Sequence, residues 1–178
     1  MRTALADAAD GLFRGRKRCA LPGNYEGQPA RIAFGALALW FSLTGKLLLL
    51  NTLLGQSAWL AFAAIVMAST LGRGACVALL CFYPYVRVEG SKAKLFGDTV
   101  RRGQLLPALA FPAALAFALM GRAAASCVMA AVAVTGLAGI YFKQKIGGVT
   151  GDCLGAANQL VELASYLALA AQLRLPDI

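Results

Sequence analysis

The chain has 178 residues, 60% of them hydrophobic and only 14% charged, with a mean hydropathy of +0.68. That balance excludes an ordinary soluble domain and points to a membrane protein. The net charge of +9 would suggest nucleic acid in a soluble chain; here it is assigned to cytoplasmic loops and anionic lipid, so no nucleic-acid partner is expected.

Residues 1–29 hold Asp7 and Asp10 in "ALADAADGLF", followed by Arg14, Arg16, Lys17 and Arg18. The two acids interrupt the apolar run that a signal peptide needs, so a cytoplasmic segment is expected instead. Residues 30–54 are the first expected span, with Lys46 as an internal charge that reads as snorkelling to the interface. Residues 57–86 read as one long crossing of about 45 Å, more than the ~30 Å hydrocarbon core. A bend is expected near Gly72 and Gly74, on either side of Arg73, and an exit at Tyr83-Pro84-Tyr85. Residues 104–120 contain Pro107 and Pro112, which a membrane helix tolerates with a kink. Residues 123–142 are rich in small side chains suited to close helix contact, and residues 153–173 complete the set. The expected fold is therefore all-α: a single integral membrane domain over 1–178, a polytopic bundle of about five transmembrane helices. Five crossings put the basic segments 1–29, 87–103 and 143–152 on one side, which places the N-terminus in the cytoplasm.

Histidine is absent, and the five cysteines form no C-x-x-C pair. Ser-His and Cys-His nucleophile schemes are excluded, and any metal would be a hard one held by carboxylate oxygens. Asp7 and Asp10, three apart, share a face if helical and suit Mg²⁺ and a phosphate substrate, or merely begin a solvated helix. Asp152 follows "GGVTG", where glycines permit close backbone approach to a ligand. It is a candidate metal ligand or a simple helix-start charge. Gln159 lies two turns further on, and Glu162 about 15 Å from Asp152 along a helix, too far to share one ion. Glu162 is expected to orient an arginine or lysine, in a site or as an intramembrane structural pair. Arg87, Lys92, Lys94, Arg101 and Arg102 would form a cationic rim, mostly explained as anchoring, whereas Arg73, beside two glycines at mid-span, is a charge at depth that anchoring explains less well. Carboxylates, a cationic rim and a glycine-lined approach on one membrane face suit phosphoryl transfer, which needs positioning and charge neutralisation above all.

The segments "LADAADGLF", "GRGACVALLCFYPYVRVEG" and "GGVTGDCLGAANQLVELA", in that order, resemble cobalamin synthase, the adenosylcobinamide-GDP ribazoletransferase family. The resemblance runs from Leu5 to the end and is closest in the last motif. It implies a Mg²⁺-dependent, multi-pass enzyme of the bacterial inner membrane that acts late in cobalamin (vitamin B12) biosynthesis. Its substrates would be adenosylcobinamide-GDP and α-ribazole or its 5′-phosphate, with GMP leaving; a homo-oligomer, or association with other cobalamin-assembly enzymes, is also implied. Carried over by position, the resemblance makes Asp7, Asp10 and Asp152 catalytic and metal-binding. It makes Arg73, Arg87, Gly147, Gly148, Thr150, Gly151, Gln159 and Glu162 substrate-binding. Met1 and Thr3 stand where the family has His and Asp, and the family's preceding spans are absent, so a truncated or decayed copy with weakened activity is expected.

Two other classes compete. A CDP-alcohol phosphotransferase also carries a D-G aspartate motif, but the A-R due after it is missing: Leu12, Phe13, Arg14 and Gly15 follow Asp10-Gly11. A non-catalytic membrane subunit or small transporter, with Asp152 and Glu162 on a permeation path, would carry internal repeats, which the sequence lacks.

Overall fold

The structure, a computed structural model, describes residues 29–86 and 102–174. Among the described residues five α-helices follow one another: α1 (Pro29–Gln56), α2 (Ala58–Phe82), α3 (Leu105–Met120), α4 (Ala124–Ile146) and α5 (Gly151–Arg174). Short 3₁₀ turns at Arg102–Gln104 and Gly121–Ala123 flank α3. No strand occurs among the described residues; a single parallel bridge joins Tyr85 to Val149.

The helix limits have local causes. Pro29 opens α1, where its fixed φ suits a helix and its missing N–H would have had no partner. Ser57 stands between α1 and α2 in an extended conformation and is bonded to Leu53 and Ala61 through its backbone. The stretch expected as a span over 57–86 is helical only to Phe82. Tyr83 precedes a proline, which disfavours helical φ/ψ, and it is extended at φ −124°, ψ 141°. Gly72 and Gly74 do not interrupt α2, which is one helix from Ala58 to Phe82. Pro107 falls in the first turn of α3, where no N–H bond is lost, while Pro112 lies inside the helix and is buried. Gly121, at φ 55° and ψ −130°, reverses the chain between α3 and α4 in a conformation that side chains rarely adopt. Gly147, in the left-handed region at φ 81°, ends α4 and donates its N–H to the Lys143 carbonyl.

Contacts fix the directions of the helices. Along α1 and α5 the numbers rise together, Ala38 packing on Ala156 and Gly45 on Leu163, so these helices are parallel. Helix α2 runs against α5: Gly72 meets Asn158, Cys76 Sγ donates to the Leu154 carbonyl at 3.4 Å, and Pro84 meets Val149. Helix α4 also runs against α5, from Cys127 at the Ser165 carbonyl to Phe142 beside Cys153. Gly74 of α2 takes Ala108 and Pro112 of α3 at close range. The starts of α1, α3 and α5 and the ends of α2 and α4 therefore gather at one end of the bundle, where Asp152 lies.

The interior is made of small residues. Ala63, Ala64, Ala68, Ala116, Ala124, Ala131 and Ala157 are buried around Met67, Leu79, Val161 and Leu169. Bulky side chains point outward, among them Trp40, Phe41, Leu47, Trp59, Phe62, Phe111, Leu137 and Leu167. Water would penalise that arrangement; a bilayer favours it, because lipid is as apolar as leucine and close packing holds helices together. Among the described residues four stretches are long and apolar enough to cross a membrane: 37–56, 58–82, 105–146 and 151–173. The third, of 42 residues, is the α3–α4 pair folded back at Gly121. The chain is thus an all-α polytopic membrane bundle.

A glycine turn and a polar cluster as the candidate functional site

At the Asp152 end, the turn between α4 and α5 is only four residues long, Gly147–Thr150. Two backbone bonds hold it to the segment leaving α2: Val149 N–H donates to the Pro84 carbonyl at 2.9 Å, and Val86 N–H donates to the Val149 carbonyl at 2.8 Å. Gly148 is needed for this approach. A Cβ there would run into the Pro84 carbonyl and the Val86 side chain. Thr150 caps α5, its hydroxyl accepting from Cys153 N–H at 3.4 Å and satisfying one of the helix's first free donors. Gly151 opens α5, with the Tyr85 hydroxyl 3.6 Å from where its Cβ would be. Asp152 is exposed in the first turn, where a carboxylate and the positive end of the helix dipole favour each other.

About two to three turns into the bundle lies a second polar group. Lys46 of α1 donates to both Gln159 and Glu162 of α5, at 2.5 Å each. Asn158 Nδ2 donates to the other Glu162 oxygen at 2.7 Å. The Lys46 and Glu162 side chains are 14% and 15% exposed, so Lys46 does not snorkel as its sequence position suggested. The ion pair gives each charge a partner inside the bundle. The Asn158 carboxamide sits in a slot made by Gly72: a Cβ there would come within 2.5 Å of Oδ1. Among the described residues no hydrogen bond reaches that oxygen, which is buried.

Of the residues expected at a site, the structure brings Gly147, Gly148, Thr150, Gly151 and Asp152 into one turn beside Tyr85. It gathers Gln159 and Glu162 around Lys46. It does not bring these two groups together, since ten residues of helix, about 15 Å, separate Asp152 from Glu162. Arg73 is exposed on α2, nine residues or about 13 Å before Phe82, and lies level with the polar cluster rather than with Asp152. Asp7, Asp10 and Arg87 lie outside the described residues. Asp152 and Glu162 are the two acids among the described residues, and no group of three Cys, Asp or Glu side chains converges there. Asp152 and the Thr150 hydroxyl are oxygen donors of the kind Mg²⁺ takes, but alone they do not complete a site.

Sequence reasoning missed Lys46 as the partner of Glu162 and Gly72 as the seat of Asn158. The available signal was that α1 and α5 each carry an ionisable residue at mid-span, of opposite sign.

The family profile for CobS, cobalamin-5-phosphate synthase, matches residues 3–170. The chain belongs to this family. Three curated CobS relatives carry the name adenosylcobinamide-GDP ribazoletransferase. The protein of Polaromonas sp. (strain JS666 / ATCC BAA-500) is 35% identical, across 95% of this chain and 66% of its own length. That of Ralstonia nicotianae is 36% identical, across 89% and 61%, and that of Klebsiella pneumoniae (strain 342) is 36% identical, across 93% and 66%. The chain thus spans just under two thirds of the length of these relatives. No solved structure matches it.

Proposed function

We propose that this chain carries the transferase chemistry for which its CobS relatives are named. A ribose hydroxyl of α-ribazole, or of its 5′-phosphate, attacks the phosphorus on the cobinamide side of the adenosylcobinamide-GDP pyrophosphate. The new P–O bond completes cobalamin or its phosphate, the hydroxyl proton is lost, and GMP leaves. The match across residues 3–170 carries this reading.

Geometry supports a binding face at the Asp152 end. The glycine turn leaves the first N–H groups of α5 and the Asp152 carboxylate at the surface, and its two backbone bonds to Pro84 and Val86 hold them still. Segments 1–28 and 87–101 both join the described helices at this end; Arg87 directly follows Val86, and Asp7 and Asp10 lie in the segment that leads into α1. Asp7, Asp10 and Asp152 would hold Mg²⁺, which when bound neutralises phosphate charge. We place this face in the cytoplasm and the protein in the bacterial inner membrane, because Lys143 and Lys145 and the basic segments share that end.

Membranes containing the chain should convert adenosylcobinamide-GDP and α-ribazole to adenosylcobalamin and GMP, followed by mass spectrometry. Asp152→Asn should insert normally and lose at least a hundredfold in turnover, a few kcal/mol of transition-state stabilisation. Normal turnover by that variant would remove Asp152 from the site. Absence of product from the parent chain would refute the proposal for this chain.

A further inference from the structure

Between α2, α3 and α4 runs a groove of about 640 Å³ whose lining includes Gly74, Ala78, Leu109, Pro112, Val132 and Gly136. It is distinct from the glycine turn and the polar cluster. Phe82, Leu109 and Val132, which also line it, are exposed, so the groove opens sideways, towards what is lipid in a membrane bundle. Along α2 it runs from Leu71 to Tyr83, about 18 Å, over half the ~30 Å hydrocarbon thickness. Its deep part is apolar. The one formal charge on its wall is Lys143, in the last turn of α4 and therefore at the Asp152 end, with Lys145 two residues on.

An apolar trough of this length, closed at the membrane surface by a cation, matches a phospholipid lying along it. The acyl chain fills the trough, and an anionic phosphate sits at the lysine. Zwitterionic lipid would fill the trough equally well but gain less at Lys143, because anionic headgroups draw surface lysines and basic clefts between helices retain them. We propose that the α2–α3–α4 groove is a binding site for one anionic phospholipid, anchored at Lys143 and facing the same side as the glycine turn. The site is independent of the transferase reading, and its test needs no turnover.

Gly136 provides the decisive variant. Nothing lies within 4 Å of where its Cβ would be, and it lines the groove, so a side chain added there starts in open space; Gly136→Leu is expected to occupy the trough and favours the helix. The protein is reconstituted in nanodiscs of phosphatidylglycerol and phosphatidylcholine, extracted into mild detergent, and weighed with its bound lipid by native mass spectrometry. One phosphatidylglycerol per chain should be retained. Lys143→Gln should weaken retention about fivefold, the loss of one surface cation's attraction, and Lys145→Gln less. Gly136→Leu should abolish retention while the melting temperature in phosphatidylcholine stays within a few degrees of the parent. A photoreactive residue replacing Val132 should crosslink to lipid. Equal retention of phosphatidylcholine, indifference to both Gly136→Leu and Lys143→Gln, or a Val132 crosslink to a segment of the protein instead of lipid would each overturn the proposal.

Discussion

Helix α5 and the α3–α4 pair lie in the same bilayer but are held there in different ways. Helix α5 is the least apolar of the four membrane-length stretches and the most buried; the α3–α4 stretch is the most apolar, and far less of it is buried. Helix α5 touches α1, α2 and α4 and spends polar groups on each: Glu162 on Lys46, Asn158 in the Gly72 slot, and the Ser165 carbonyl as acceptor for Cys127. Helices α3 and α4 carry little that needs a partner and give Phe111, Phe117, Val132 and Leu137 to lipid. In this bundle the polar helix is central because only protein can satisfy it, and the apolar ones surround it because lipid can. Sensitivity to substitution should follow the same division.

The largest effect is expected at Lys46. Lys46→Met leaves Glu162 charged and enclosed, which should cost roughly 3–5 kcal/mol, read as loss of folded protein in a thermal or denaturant series in detergent. Adding Glu162→Gln removes the stranded charge and keeps an acceptor for Asn158, so the double variant should recover most of that loss. Failure to recover would mean that packing, not charge, ties α1 to α5.

Gly148→Ala comes next. Its Cβ collides with a backbone carbonyl, which cannot rotate away as a side chain could, so the Tyr85–Val149 bridge must open at about 2–3 kcal/mol. Gly72→Ala meets the tip of Asn158 first and should cost less, about 1–2 kcal/mol; the reverse order would show that Asn158 is the more rigid neighbour. Thr150→Ala removes the α5 cap at about 1 kcal/mol or less, visible as faster hydrogen exchange of the first α5 amides. Leu106→Ala, on a residue 77% exposed on α3, should fall within about 0.5 kcal/mol. A large loss there would mean that protein, not lipid, covers that face.

Much of the fold was legible because a bilayer allows few solutions. Apolar runs of sufficient length must be helices, and Pro84, Gly121 and Gly147 mark where helices stop. The pairing was not legible. Lys46 and Glu162 lie 116 residues apart, and nothing near either one names the other, so Lys46 read as a side chain bent towards the interface. The glycines of α2 were seen, but a glycine that bends a helix and one that admits a neighbour look alike in sequence; the structure shows the second use at both Gly72 and Gly74. Arg73 read as a charge at depth between two glycines; both glycines are buried while Arg73 itself is exposed. For the site, "GGVTGD" was legible as a unit because its spacing is local. Its clasp to Pro84 and Val86 is a tertiary contact with no local signature.

The separation of Lys46 from Glu162 also has a consequence for biogenesis. The ribosome makes α1 first, and at about 5–20 residues per second the 116 residues that separate the two charges take on the order of ten seconds. Through that interval Glu162 is not yet there to pair with Lys46, whose side chain is long enough to reach the interface. Helix α5, the least apolar of the described spans, then enters a membrane where a cation is already waiting, and its arrival joins α1 to the rest of the described helices.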